Sequence, residues 1–275
     1  MTINYGSPAH IMYIAIALLF CFVLFIILRK RSKQVQKYAV LAIMIVNAAQ
    51  HIFKTWIYPQ YDGLGFTALN TAYNMCAFLI LASPIALLLK SDAFRDFVFY
   101  IGTSAGILAL LIPYWNIGDY AFEWEVIRFF ICHAFLFSSS LLPLLLGLHK
   151  PSYKSFYKLG ACFMISLVVI LINDAICVLL GIYPGIENMS VGEALYIINP
   201  VWTFKPADVF VWVGYVAEYI TPAVWMGDNA AGMYIPILWY LIPVYILITL
   251  IAFPICTLAD RKRFKNDISK LFTKK

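Results

Sequence analysis

Charge is scarce in this 275-residue chain: 12% of residues are charged, 63% are hydrophobic, and mean hydropathy is +0.84. A water-soluble domain of that length needs far more polar surface, so the composition excludes one and points to an integral membrane protein. Cysteines with paired spacing are also lacking. Cys21, Cys76, Cys132, Cys162, Cys177 and Cys256 all fall inside apolar runs, which excludes a disulfide framework and a zinc site. No internal repeat and no low-complexity segment stands out. The first apolar run has no basic region before it and no Ala-x-Ala-like site behind it, and Arg29-Lys30-Arg31 follows at once. It therefore reads as an uncleaved first helix rather than a signal peptide.

What is present is a series of apolar runs of about 20 residues, each long enough to cross a ~30 Å hydrocarbon layer. Seven crossings are expected, at about 10–28, 38–57, 69–89, 97–114, 126–148, 156–182 and 234–258. The fold class is all-α: a polytopic membrane helical bundle forming a single transmembrane domain over residues 1–275, in the cell membrane. Alternating the crossings puts all Lys and Arg residues on one side except Lys54, Arg128 and Lys205. That asymmetry predicts an outer amino terminus and a cytoplasmic carboxyl terminus. The formal charge of +6 is thereby explained by orientation and anionic lipid, and no nucleic-acid partner is expected.

The stretch from Asp208 to Trp225 resists this scheme, because it is apolar and aromatic yet holds Glu218 and Pro222. It reads as an interfacial or re-entrant segment before the last helix. All seven tryptophans fall in outer connections or outer helix ends, as in an aromatic belt. The terminal run from Asp260, with Ile268, Leu271 and Phe272 among lysines, has the pattern of a basic amphipathic helix.

Helix direction gives each intramembrane polar residue a depth. Cys76 lies seven residues below Leu69 and His133 seven below Val126, on the order of 10 Å at ~1.5 Å per residue. His51 lies six residues from Ile57, and Asn173 and Asp174 lie eight or nine from Ile182. Four helices thus place a thiol, two imidazoles, an amide and a carboxylate in one shallow layer. Ionisable groups in a bilayer are costly and mark function by default. A thiol becomes a nucleophile beside an imidazole, so Cys76 with His133 as base, oriented by Asn173 or Asp174, is the candidate catalytic pair. Oxyanion donors could come from Asn74, Tyr73 or Arg128. A metal held by His51, His133 and Asp174 lacks diagnostic close spacing, and neither a metal nor another cofactor is expected.

These residues also carry a family resemblance. Asn74-Met75-Cys76 and the run to Ser83-Pro84-Ile85-Ala86-Leu87-Leu88-Leu89 look like the thiol-bearing helix of the YwaF-like family of bacterial integral membrane proteins. Arg128-Phe129-Phe130-Ile131-Cys132-His133 resembles its Phe-Phe-x-x-His element. Asn173, Asn199, Phe204-Lys205-Pro206 and Trp239-Tyr240 complete the match. That family is similar to eukaryotic transmembrane acyltransferases that exchange acyl chains on phospholipids. The resemblance implies that Cys76 accepts an acyl group and that His133 assists it. Membrane lipids would be the partners, with a phospholipid as acyl donor and a lysolipid as acceptor. Asn74 stands where many bacterial members carry a histidine, in a Leu-Pro-Leu-His-Leu-Cys pattern, and His51 is a candidate to replace it. The expectation is a phospholipid acyltransferase or transacylase working through a cysteine thioester. The alternatives are a small-solute or proton transporter or channel using the same polar layer, and a non-catalytic membrane interaction protein.

Overall fold

The computed structural model describes residues 1–186, 189–206, 211–228 and 233–273. It is almost entirely helical, and its residues fall into two compact units: residues 1–72 with 76–150, and residues 73–75 with 151–275.

The first unit holds α1 (Pro8–Leu28), α2 (Lys33–Ile52), the short α3 (Lys54–Ile57), α4 (Met75–Leu88, from its second residue), α5 (Asp92–Leu111) and α6 (Trp124–Leu145). Serine caps begin three of them. Ser7, Ser32 and Ser91 accept hydrogen bonds from His10, Val35 and Phe94 backbone N–H groups, satisfying donors that the helix itself leaves open. The last two caps sit in polar sequence. Consequently α2 and α5 start about five residues before their apolar runs. The expected crossing from residue 69, by contrast, starts late, at Met75. Upstream, Thr67 and Asn70 form a capping box around a 3-10 turn at Ala68–Asn70, which takes those residues out of the helix.

α6 is the centre of this unit and packs against α1, α2 and α5. The closest of these approaches is made by Gly102 and Gly106 of α5, four residues apart and so on one face. A Cβ on Gly106 would come within 2.7 Å of the Phe137 backbone nitrogen, and one on Gly102 within 2.3 Å of the Ser140 hydroxyl. Two glycines at this spacing let helix backbones meet where hydrocarbon surroundings give no hydrophobic drive for association.

The second unit holds α7 (Lys158–Leu179), α8 (Val191–Ile198), α9 (Val211–Ile220), α10 (Ala223–Met226), a hairpin of β1 (Gly227–Asp228) and β2 (Met233–Tyr234), α11 (Leu238–Ala259) and α12 (Arg261–Thr273). The segment expected to be interfacial or re-entrant is thus α9 and α10, broken at Thr221-Pro222; Asp208 lies outside the described residues. Pro243 lacks the N–H that would bond the Trp239 carbonyl inside α11. The Thr221 hydroxyl donates to that carbonyl instead, at 2.9 Å. Trp239 is not a belt residue: only 1% exposed, it packs with Leu167, Ala217, Met226 and Tyr240, and its Nε1 donates to the Thr203 carbonyl at 3.1 Å.

Among the described residues five helices, at Pro8–Leu28, Asp92–Asn116, Trp124–Leu145, Lys158–Leu179 and Leu238–Ala259, are long and apolar enough to cross a membrane. The other two expected crossings correspond to α2, whose first turns carry Lys33, Gln34, Gln36 and Lys37, and to the 14-residue α4. Large apolar side chains such as Leu19, Phe22, Ile165 and Leu250 stand exposed on the long helices. Such surface suits hydrocarbon and not water.

α12 has a pH-dependent anchor. The Lys154 ammonium lies 2.8 Å from the Asp267 carboxylate, and the Tyr153 hydroxyl donates to it. These bonds hold the Asp267 carboxyl below its ordinary range, and the bond to Asp267 pushes the Tyr153 phenol up to about 12. A depressed carboxylate contributes above its ordinary pKa of ~4 and loses that contribution as pH falls through its lowered value. The raised phenol contributes below ~10 and loses it as pH rises through about 12. Hydrogen exchange of α12 amides, corrected for intrinsic rate, is therefore expected to be flat from about pH 5 to 9 and to rise below ~4. Asp267→Asn should raise it already at neutral pH.

Candidate functional site

The site grows from one stripe of α6. Glu125, Arg128, Phe129, Cys132 and His133 recur at three- and four-residue spacing, so they line the same face of the helix. Arg128 grips Glu125 with two hydrogen bonds, from Nε at 3.0 Å and from Nη2. The Tyr61 hydroxyl donates to the same carboxylate at 2.8 Å. Two cations, the Lys54 ammonium and the Arg128 guanidinium, each lie 6.0 Å from the centroid of the Tyr61 ring. Lys54 is 1% exposed. A buried charge is tolerated only within a polar network, and here Glu125 supplies the balancing carboxylate.

His133 sits one turn deeper and is 7% exposed. Its Nδ1 is 2.8 Å from the Phe129 carbonyl. A carbonyl can only accept, so Nδ1 carries the proton and donates, leaving Nε2 as the basic nitrogen. Two thiols share this ring. Cys132 Sγ lies 3.4 Å from Nδ1 and 3.3 Å from the Phe129 carbonyl. The Cys76 thiol, at the start of α4, is close enough to act on the ring electrostatically, so Cys76 and His133 are neighbours.

Other expected residues are placed differently. His51, 6% exposed, holds the loop before α4 through a 2.8 Å contact from Nε2 to the Thr71 carbonyl. Arg128 is committed to Glu125. Asn173 and Asp174 belong to the second unit, where Asn173 Nδ2 donates to Asp174 Oδ1 at 3.2 Å. Asp174 is fully buried, and its Oδ2 has no hydrogen-bond partner among the described residues. The ring of His133 is oriented by the carbonyl of its own helix, at Phe129. Asn74 and Tyr73 lie in the segment of the second unit that leads into α4. Among the described residues no group of three or more His, Cys, Asp or Glu could hold a metal.

Asn70 fixes the approach to Cys76. Its Nδ2 donates to the Ile52 carbonyl at 2.7 Å and to the Thr55 hydroxyl at 2.9 Å, while its Oδ1 accepts from the Thr67 backbone at 2.9 Å. Asn70→Ala would leave these buried groups open at about 1–3 kcal/mol, a loss expected in the thermal midpoint of the detergent-solubilised protein.

Lys54, Tyr61, Glu125 and Cys132 are not marked as site residues by the sequence: Lys54 is one of three basic residues on the outer side, and Cys132 falls inside an apolar run. The Glu125–Arg128 spacing was the one signal that could have found part of this network.

Apolar helices with hydrocarbon side chains turned outward, around a buried cluster of thiols, imidazoles and cations, define a polytopic membrane protein with a polar interior site. The chain belongs to the TMEM164 family, whose model matches residues 5–222, about four fifths of its length. That stretch contains every residue of the cluster and ends before α11. The match supports the membrane-protein part of the resemblance drawn from the sequence. No curated protein and no solved structure matches the chain.

Proposed function

We propose that the protein is a multi-pass cell-membrane acyltransferase or transacylase that moves acyl chains between phospholipid and lysophospholipid through a thioester on Cys76. The observation that carries this reading is the proximity of the Cys76 thiol to a His133 ring whose Nδ1 proton is already committed to the Phe129 carbonyl. His133 Nε2 takes the thiol proton, and the Cys76 sulfur attacks the ester carbonyl of the donor lipid. The carbonyl π electrons move to oxygen, giving a tetrahedral oxyanion. Collapse of this intermediate forms the thioester and breaks the bond to the glycerol oxygen, which takes the proton from the imidazolium. A lysolipid hydroxyl then gives its proton to His133 and attacks the thioester carbonyl, and the departing Cys76 sulfur recovers that proton. Lys54 and Arg128 favour the negative charge that develops on oxygen. The resemblance to the YwaF-like family and its eukaryotic counterparts supports the same roles. His51 acts on this scheme by holding the loop before α4.

The test is direct capture. The protein in vesicles containing phosphatidylcholine with a radiolabelled acyl chain, quenched in acid, is expected to carry label on the Cys76 peptide that neutral hydroxylamine releases. Chain transfer proceeding with no protein-bound label under any quench would exclude the thioester route.

A further inference from the structure

The first unit contains a second site, at the opposite end of α2. Lys33 and His51 are 18 residues apart on that helix, about 27 Å at ~1.5 Å per residue. Here the first turns of α2, the start of α5 and the segment after α6 enclose a cavity of about 390 Å³ whose wall includes Lys33, Lys37, Arg95, His149, Tyr38 and Phe99. Among the described residues no carboxylate lines it. That volume lies within the range of small-molecule sites, about 300–1,000 Å³.

The wall is built rather than merely basic. The Lys33 ammonium donates to the carbonyls of Leu146 and Gly147, where the C-terminal end of α6 offers unsatisfied acceptors. Arg95 Nε donates to the Ala86 carbonyl at 3.2 Å, which leaves the Nη edge of its guanidinium 4.0 Å from Asp92. His149 is 8% exposed, and its Nε2 lies 2.6 Å from Oδ1 of Asp96, itself 1% exposed. The Phe99 ring packs edge-on to the imidazole at 5.6 Å between centroids. One ring nitrogen and one ring face are thus fixed, and three full cations stand around the opening. Orientation of a membrane protein requires only that positive residues lie on one side. It does not require a concave arrangement or a buried histidine held by an aspartate.

We propose that this cavity binds a phosphate group, with Lys37 and Arg95 as its charged contacts and His149 at its base. Lys and Arg bind phosphate through charge-assisted hydrogen bonds, and the apolar and aromatic part of the wall accepts the organic body that carries it. The phosphate could arrive on a membrane lipid headgroup or on a soluble organic phosphate, since both present the same oxygens. The site is independent of the Cys76 chemistry.

Purified full-length protein in neutral detergent, given equal dioleoylphosphatidylglycerol and dioleoylphosphatidylcholine, is expected to retain the glycerol lipid preferentially in native mass spectrometry. Preference that survives millimolar glycerol phosphate assigns a lipid headgroup. Displacement by glycerol phosphate, with direct binding of it in calorimetry, assigns a soluble source. In either case Lys37→Gln, a partly exposed position whose loss leaves the helix intact, should weaken binding about tenfold, as removal of one charge-assisted bond implies. His149→Gln should do likewise, and Lys262→Gln on α12 should not. Equal retention of the two lipids together with no binding of glycerol phosphate would overturn the proposal. So would unchanged binding by both Lys37→Gln and His149→Gln.

Discussion

Cys76→Ala is expected to lower acyl transfer in reconstituted vesicles by at least about a thousandfold while the protein still purifies as a folded helical species. Removing a nucleophile forfeits the covalent route entirely, and what remains is the catalysis due to binding and charge stabilisation. The substitution deletes a single sulfur at a half-buried helix start, so little packing is lost. Cys162→Ala, on α7 in the second unit, is the matched control and should transfer at the unmodified rate. His133→Ala should lose about 10²–10⁴ in rate, the usual contribution of a positioned base. It should also flatten the pH profile, because the group that titrates in the free enzyme is gone. Transfer at the original rate by folded Cys76→Ala would end the thioester reading, whatever the outcome at His133.

The second large effect is structural and lies at Gly106. In Gly106→Ala the new methyl meets Phe137 backbone nitrogen at 2.7 Å and Phe137 Cα at 2.8 Å. Backbone cannot rotate away as a side chain can, so α5 and α6 must separate along their closest approach. The expected cost is about 3 kcal/mol or more, with a lower thermal midpoint and poor yield from the membrane. Gly102→Ala should cost less, since the atom in its way is the Ser140 hydroxyl, which can adopt another rotamer. A pair of thermal unfolding curves in one detergent settles the order. Gly106→Ala melting with the parent protein would show that the helices do not depend on this contact.

The long helices were legible because an apolar run near 20 residues has few other uses. Their starts were less so. Ser32 and Ser91 cap helices from within polar sequence, and a reading by hydropathy begins only where the apolar residues do. For α4 the error ran the other way: Leu69 to Asn74 is mostly apolar or neutral, but Thr67 and Asn70 close a turn on themselves and keep it out of the helix. Depth along the helices was the signal that suggested pairing Cys76 with His133. It said nothing of Lys54 and Tyr61, which reach the cluster from a short helix and a turn whose course hydropathy does not determine. The contact of His149 with Asp96 spans 53 residues and needs the fold before it can be seen. Gly102 and Gly106 were visible as letters, yet their meaning depends on which helix faces them.

The hydroxyl of Thr221 that fills the gap left by Pro243 has an evolutionary consequence. Losing the hydroxyl alone strands a carbonyl in an apolar interior, whereas losing the proline alone gives that carbonyl two suitors. A carbonyl has two lone pairs and can accept from both, so only the loss of the hydroxyl is a step down by itself. The threonine should therefore be kept wherever the proline, 22 residues further along the chain, is kept.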